Sequence, residues 1–541
     1  MKKLSLVLAL VVFACGFAIA QRTISGTITD TGGEPLIGAS ILVKGTTSGT
    51  VTDIDGKYTL SVPDGSTTLV VSYTGFSTQE VEIGAQSVVD IAMAESAEVL
   101  SEVVVTGLGI KKEKKALGYG VTTLDQTDIA NRVESDVARI LRGKATGVDI
   151  TQTSGLAGSG TNVIIRGYSS ITGTNQPLFV IDGIPFNTET NSIGGFTNGS
   201  AASSSRFLDL DPNNIAEVSI LKGLSATVLY GEAGRNGVIL ITTKNRAAAD
   251  NSSDKKFEVS VTQQLASSQV ANLPDYQNTY GNGFSGDFGW FFSNWGPSFD
   301  TRGSNGIAED GTIDHPYDQS QYNDAFPEYI GVRYPYQPYE SVENFFSPGL
   351  TSNTSISIQN NLGNGSSISA TYSYLSDEGF LPKLDEMRGG GPSNYLNKHN
   401  FGLGGSTQLA NGLKLNATFN YADSESRLLP TAPGFGGDGN GFYAALVFTP
   451  RSIDLMNLPY QSPLDGSNVY YRRGSAIQNP RWTLNNSSFN ERVRRFFSTI
   501  EMSYELTPWL NALYRLGLDQ YTQNSEEAVN RGGPRNPDGQ L

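Results

Sequence analysis

The sequence predicts a mainly β protein built as a small β-sandwich, an α+β unit and the first strands of an incomplete transmembrane antiparallel β-barrel. Three observations predict it. The 61 Gly, 24 Tyr and 25 Phe accompany only 38% hydrophobic residues, with no long apolar run beyond the N-terminus, the profile of strand-crossing rather than helix-crossing membrane proteins. Segments of alternating polarity recur in pairs through the second half of the chain, as strands with one lipid face and one lumen face require. The N-terminus carries an export signal.

That signal occupies residues 1–20. Met1, Lys2 and Lys3 give a basic start, Leu4 to Phe13 an apolar run, and Ala18-Ile19-Ala20 a small-x-small site, so cleavage is expected before Gln21. The run falls well short of the roughly 20 residues of a spanning helix. Cys15 is the single cysteine, and its context fits lipoprotein processing less well than the downstream Ala-x-Ala. With the signal removed no thiol remains, and disulfide or thiol chemistry is excluded. The balance of 38 basic and 53 acidic residues, 38 − 53 = −15, leaves no basic stripe for a nucleic-acid partner. His315 and His399 are the only histidines, too few for a zinc site or an imidazole acid–base centre. No catalytic residue, cofactor site or metal site is expected, and no paired carboxylates stand out as a glycanase centre.

Residues 22–95 read as the sandwich. Short strands are expected at Thr23 to Thr29, Ser40 to Val43, Gly49 to Thr52, Tyr58 to Val62, Thr68 to Tyr73, Thr78 to Ile83 and Val88 to Met93, separated by Gly-, Pro- and Asp-rich turns. Asp53-Ile54-Asp55-Gly56 lacks the later ligands of a calcium loop and reads as a hairpin turn. Gly49-Thr50-Val51-Thr52-Asp53, Asp55-Gly56-Lys57-Tyr58 and Ser72-Tyr73-Thr74-Gly75-Phe76 resemble the carboxypeptidase-regulatory-like module, which is not catalytic despite its name.

Residues 96–116 form a connector whose centre, Leu100, Ser101, Glu102, Val103, Val104, Val105, Thr106 and Gly107, is too β-prone for an inert linker. From the residues alone two readings stand side by side: a strand offered to another protein's sheet, and an edge strand of the preceding sandwich.

Residues 117–246 read as a compact α+β unit, with helices expected at Ser135 to Leu141 and Ser225 to Tyr230. Strands are expected at Val148 to Thr151, Asn162 to Arg166, Leu178 to Ile181, Glu217 to Leu221 and Val238 to Thr243. Several ordered motifs follow one another: Leu141-Arg142-Gly143-Lys144-Ala145-Thr146-Gly147-Val148, Ile165-Arg166-Gly167, Pro177-Leu178-Phe179-Val180-Ile181-Asp182-Gly183-Ile184-Pro185, Leu210-Asp211-Pro212-Asn213-Asn214-Ile215, Val218 to Gly223, and Asn236 to Lys244. Together they closely resemble the plug domain of TonB-dependent outer-membrane transporters, more narrowly the SusC/RagA family of Bacteroidetes. The resemblance implies that Leu100 to Gly107 is the TonB box, captured by TonB and powered by its inner-membrane energising proteins. It also implies a SusD-like surface lipoprotein as lid, outer-membrane lipid around the wall, and a periplasmic N-terminal domain. The Gly155 to Gly160 stretch is not a dinucleotide fingerprint, because its spacing is wrong and no βαβ unit surrounds it. Arg166, Asp182, Lys222 and Arg235 are expected in buried salt bridges or contacts between plug and barrel.

Residues 257–541 read as partial barrel. Strands are expected at Phe257 to Leu265, Thr354 to Leu362, Ile368 to Leu375, Phe401 to Leu409, Leu413 to Tyr421, Phe496 to Glu505 and Trp509 to Tyr521, with extracellular loops at Asp275 to Glu343 and Gly434 to Asn490. Gln277-Asn278-Thr279-Tyr280-Gly281, Trp295-Gly296-Pro297, Arg451 to Leu455 and Asn479 to Asn486 again resemble the SusC-like pattern. Aromatic residues near strand ends suit either an interfacial girdle or sugar-stacking loops. About seven strands are visible where a plugged transporter has about 22, and a barrel open at two edges is prohibitively costly in lipid. The sequence is therefore expected to be a truncated product or a fragment, with completion by a second chain as the other solution. The function expected is active import of a large nutrient, a glycan oligosaccharide or peptide; the alternative is a β-rich outer-membrane binding or adhesion protein without transport.

Overall fold

The computed structural model describes residues 21–533 except 45, 47, 64–66, 74, 75, 85, 95–102, 106–110, 114–119, 130–132, 153, 172, 189–203, 224–227, 251–256, 292, 364, 430–441, 473–477 and 508. The expected signal, residues 1–20, lies outside them. Contacts divide the chain into two compact units: the first holds the sandwich, and the second runs from Leu117 onward together with Val104–Lys112.

In the sandwich, Gln21–Asp30 lies between Lys57–Pro63, antiparallel to it, and Ile91–Met93, parallel to it. The other sheet orders Gly49–Val51, Ser40–Val43, Thr68–Ser72 and Gln79–Glu82. Strict alternation of exposed and buried residues along Lys57–Pro63 sends Tyr58, Leu60 and Val62 into a core with Ile24, Ile41 and Val71, the period-two burial expected of a sandwich strand. Asp53 closes its hairpin by accepting from the backbone N–H of Asp55 (2.9 Å) and of Lys57 (2.8 Å), which is the turn chemistry expected there.

The second unit contains a five-stranded mixed sheet in the order Val121–Asp125, Ile215–Leu221, Val238–Thr243, Leu178–Ile181, Ile184–Phe186, and a separate hairpin of Val148–Gln152 with Thr161–Ile165. Val- and Ile-rich strands place Ile220, Ile239 and Ile181 in one core with Phe179 and Phe207, whose rings lie 4.4 Å apart. The first expected helix is only Val137–Ile140, capped by Asp136 through the Ala138 N–H (2.8 Å). The second is a 3₁₀ segment, Val228–Gly234; positions 225–227 lie outside the described residues. Gly231 and Gly234 weaken α-helix there.

Around this middle unit runs the wall, seven antiparallel strands in sequential order: Phe257–Ser268, Gly349–Gly363, Ser366–Glu378, Tyr395–Gln408, Lys414–Leu428, Ser487–Thr507 and Leu510–Val529. All seven expected wall strands are present. Alternation along them turns Phe257, Val259 and Val261, Phe401 and Leu403, and Leu516 and Leu518 outward as exposed apolar residues, the lipid-facing pattern. Lys398, Asn400, Thr418, Asn420, Arg495 and Glu501 are buried on the other side, toward the middle unit.

The segments joining the wall strands on one side are packed rather than extended. Phe299, Tyr317, Tyr334, Tyr336, Phe345, Phe442 and Leu484 form one buried cluster, which Leu156 of the middle unit joins. Most loop aromatics are thus core of this layer, whereas Phe284, Phe291 and Trp295 are exposed. The second expected loop ends earlier than Asn490, in the helix Pro480–Asn486 and the strand that begins at Ser487.

Candidate functional site

Of the expected docking residues, Val103–Val105 form a strand that belongs to neither sandwich sheet and pairs with Lys111–Glu113 in a two-stranded ribbon. Leu100, Ser101, Glu102, Thr106 and Gly107 lie outside the described residues.

The richest polar geometry among the described residues lies where the middle unit meets the wall. Lys398, on the fourth wall strand, is buried, and its ammonium donates to three backbone carbonyls: Ser135 (3.2 Å), Leu208 (2.9 Å) and Leu210 (2.8 Å). A buried ammonium needs such acceptors, because an unpaired charge away from water is very costly. Arg495, on the sixth strand, donates to the Asn187 carbonyl (2.9 Å), to Asp209 (3.2 Å) and to Asp519 (2.8 Å), and its guanidinium lies 3.4 Å from the centre of the Phe186 ring. Arg206 adds Glu491 at 3.2 Å, so segment 204–210 is fixed from the fourth and sixth wall strands.

A second cluster holds the exit of the sheet. Arg246 lies 2.6 Å from one oxygen of Glu501, while Arg515, directly opposite Glu501 on the next strand, donates through Nε to the other oxygen at 2.9 Å. The Arg515 guanidinium covers Gly183, where an added Cβ would clash with it and where φ is +86°; glycine meets both demands. Asn245 is buried between Ser369 (2.9 Å) and Thr371 (3.3 Å) of the third strand. Its seat exists because the fourth strand carries Gly404, where a Cβ would lie 2.8 Å from that of Asn245.

Asp182 accepts from the Thr243 N–H (2.9 Å) and hydroxyl (2.8 Å), and from Thr418 of the wall at 3.4 Å. Burial pushes its carboxyl above the usual carboxylate range, against the pull of the Thr243 bonds and of Arg246. Asp182 thus makes the expected contact between middle unit and wall. Arg166 and Arg235 correct that expectation: both are exposed, and Arg235 pairs with Glu232 on its own turn. Lys222 is half-buried and donates to Thr122 at 2.8 Å. Lys398, Arg495 and Glu501 were missed, although each stands at an inward position of a strand whose next residue or residues face out, and so was Asn245, on the short helix Lys244–Asp250.

Two family models match the chain: the CarboxypepD_reg-like domain over residues 24–105, and the TonB-dependent Receptor Plug Domain over residues 113–238. The TonB-dependent receptor P26 of Formosa agariphila is 31% identical over 457 residues, 82% of this chain and 40% of that protein. The chain carries the plug domain of the TonB-dependent receptors. It also resembles the TonB-dependent receptor SusC of Bacteroides thetaiotaomicron, 37% identical over 245 residues, 45% of this chain and 23% of SusC. It shares its fold with the RagAB peptide importer in its closed-closed state, at a TM-score of 0.58 and 17% identity over 78% of this chain and 43% of that one. The chain thus spans less than half the length of these relatives. Such receptors are outer-membrane β-barrel proteins and not enzymes; the middle unit is the plug.

Proposed function

We propose that the complete receptor actively imports a large nutrient, a glycan oligosaccharide or a peptide, across the outer membrane. TonB captures Leu100 to Gly107 by strand addition, and a SusD-like lipoprotein covers the outer face. The observation that carries this reading is the plug held against the inward side chains of the wall through Lys398, Arg495, Glu501 and Asn245. A lumen filled in this way passes nothing until the plug is rearranged, and the docking strand is covalently continuous with the plug. The RagAB importer, which is described as carrying peptides, supports the substrate class by likeness of fold. Deleting residues 102–106 from the complete receptor tests the reading: energised uptake is expected to disappear with surface binding of substrate intact, and undiminished uptake would overturn it.

A further inference from the structure

We propose that Arg494, on the outward face of the sixth wall strand, binds the phosphate of an anionic lipid in the outer leaflet of the membrane, while the aromatic row beside it receives the start of that lipid's acyl chains.

The register places the site. Neighbouring wall strands are joined by short turns at one end, between Gly363 and Ser366 and between Gln408 and Lys414, and by long segments at the other, residues 269–348 and 429–486. Short turns are periplasmic and long loops extracellular in barrels of this kind, so the half of the wall next to the long segments faces the outer leaflet. In that half Tyr372, Phe401, Tyr421 and Phe496 pair in turn across four strands and share the outward face. One step toward the short turns the same face carries Leu403, Phe419 and Leu518, all exposed. One step toward the long segments the row reads Tyr374, His399, Asp423, Arg494 and Thr522. A change from aromatic to charged within two residues, about 7 Å along a strand, marks the passage from hydrocarbon to headgroups.

The charges in the outward row are unequally engaged. Asp423 accepts from Arg492 through Nε at 3.0 Å and through Nη2 at 2.8 Å, so both carboxylate oxygens are taken. Glu425, opposite Arg492, accepts from the Tyr395 hydroxyl at 3.0 Å. Arg494 comes no nearer to Asp423 than 3.6 Å, through Nε, which is beyond hydrogen-bond length. Among the described residues its Nη groups have no hydrogen-bond partner, and 54% of its side chain is exposed. Its planar fork of N–H groups matches two phosphate oxygens, and the exposed Thr522 directly opposite offers a hydroxyl beside it. His399 stacks on Tyr374 at 4.6 Å, with Nδ1 3.1 Å from the Tyr372 hydroxyl, which fixes the rings that flank the site. Free phosphate would meet a single guanidinium in water, a weak contact. A lipid adds burial of its chains against Tyr421 and Phe496, so the occupant is a lipid.

The test uses the complete receptor in detergent, monophosphoryl lipid A as the probe, and native mass spectrometry to read bound lipid. R494Q is expected to weaken binding at least tenfold. Removing the phosphate from the probe is expected to weaken its binding to wild type equally, and to R494Q no further. R492Q is also expected to weaken binding, because Asp423, having lost its bidentate partner, turns to Arg494; the double variant R492Q/D423N is then expected to return within threefold of wild type. K414Q, at the periplasmic end, is expected to stay within twofold. Wild-type binding by R494Q, equal binding of the dephosphorylated probe, or no recovery in R492Q/D423N would overturn the proposal. Millimolar inorganic phosphate is expected to leave the lipid bound, and displacement by it would overturn the lipid assignment. A smaller assembly in R494Q with its lipid retained would make the patch a contact between copies and overturn it as well.

Discussion

Arg246 of the plug and Glu501 of the sixth wall strand are joined by an ion pair of 2.6 Å at the point where the plug sheet ends. Glu501 is buried and is shared with Arg515, so its removal breaks one buried ion pair with each of two guanidinium groups. E501A is expected to weaken the seating of the plug by about 3–5 kcal/mol. Urea titration of the purified complete receptor, following plug unfolding by limited proteolysis, reads the lowered midpoint; an unchanged midpoint would contradict the pairing.

The seat of Asn245 gives a steric prediction. G404V places a Cβ 2.8 Å from the Asn245 Cβ, and overpacking of this kind costs about 1–3 kcal/mol. Faster protease cleavage after Lys244 is expected in G404V, with the wall strands themselves still folded in detergent.

His315 predicts a pH dependence in the packed loop layer. It is buried, stacks on Tyr329 at 3.9 Å, and accepts through Nδ1 from the Tyr317 N–H at 3.1 Å. Burial lowers its pKa from 6.5 to about 4, although Asp318 and Glu328 pull the other way. Below pH 6.5 the unfolded layer takes up a proton that the folded layer refuses until about pH 4. Stability contributed here is therefore fully present above pH 6.5 and is lost as pH falls toward 4. Proteolysis of the layer is expected to accelerate between pH 7.5 and pH 5, and H315F is expected to flatten that change.

The wall was legible because each strand repeats one rule, polar inward and apolar outward, at period two. Its ends were less so. The sixth strand was expected from Phe496 but begins at Ser487, because beyond the lipid band its outward residues Arg492 and Arg494 meet Asp423 while its inward Phe489 packs into the loop layer. The plug motifs were legible as a resemblance, and its strands as Val- and Ile-rich runs. The pins were not: Lys398 and its carbonyl partners stand 188 to 263 residues apart, and nothing local in either stretch marks the encounter. Arg166 and Arg235 misled for the converse reason, since glycine-rich surroundings in sequence left them exposed in the fold.

The central claim is that the connector strand is a handle gripped through its backbone, and energised uptake by V104P in the complete receptor tests it most directly. Proline removes one N–H and blocks strand pairing while leaving charge and length unchanged. Uptake is expected to fall to the level of a de-energised cell with substrate still bound at the surface; uptake at the wild-type rate would contradict the account.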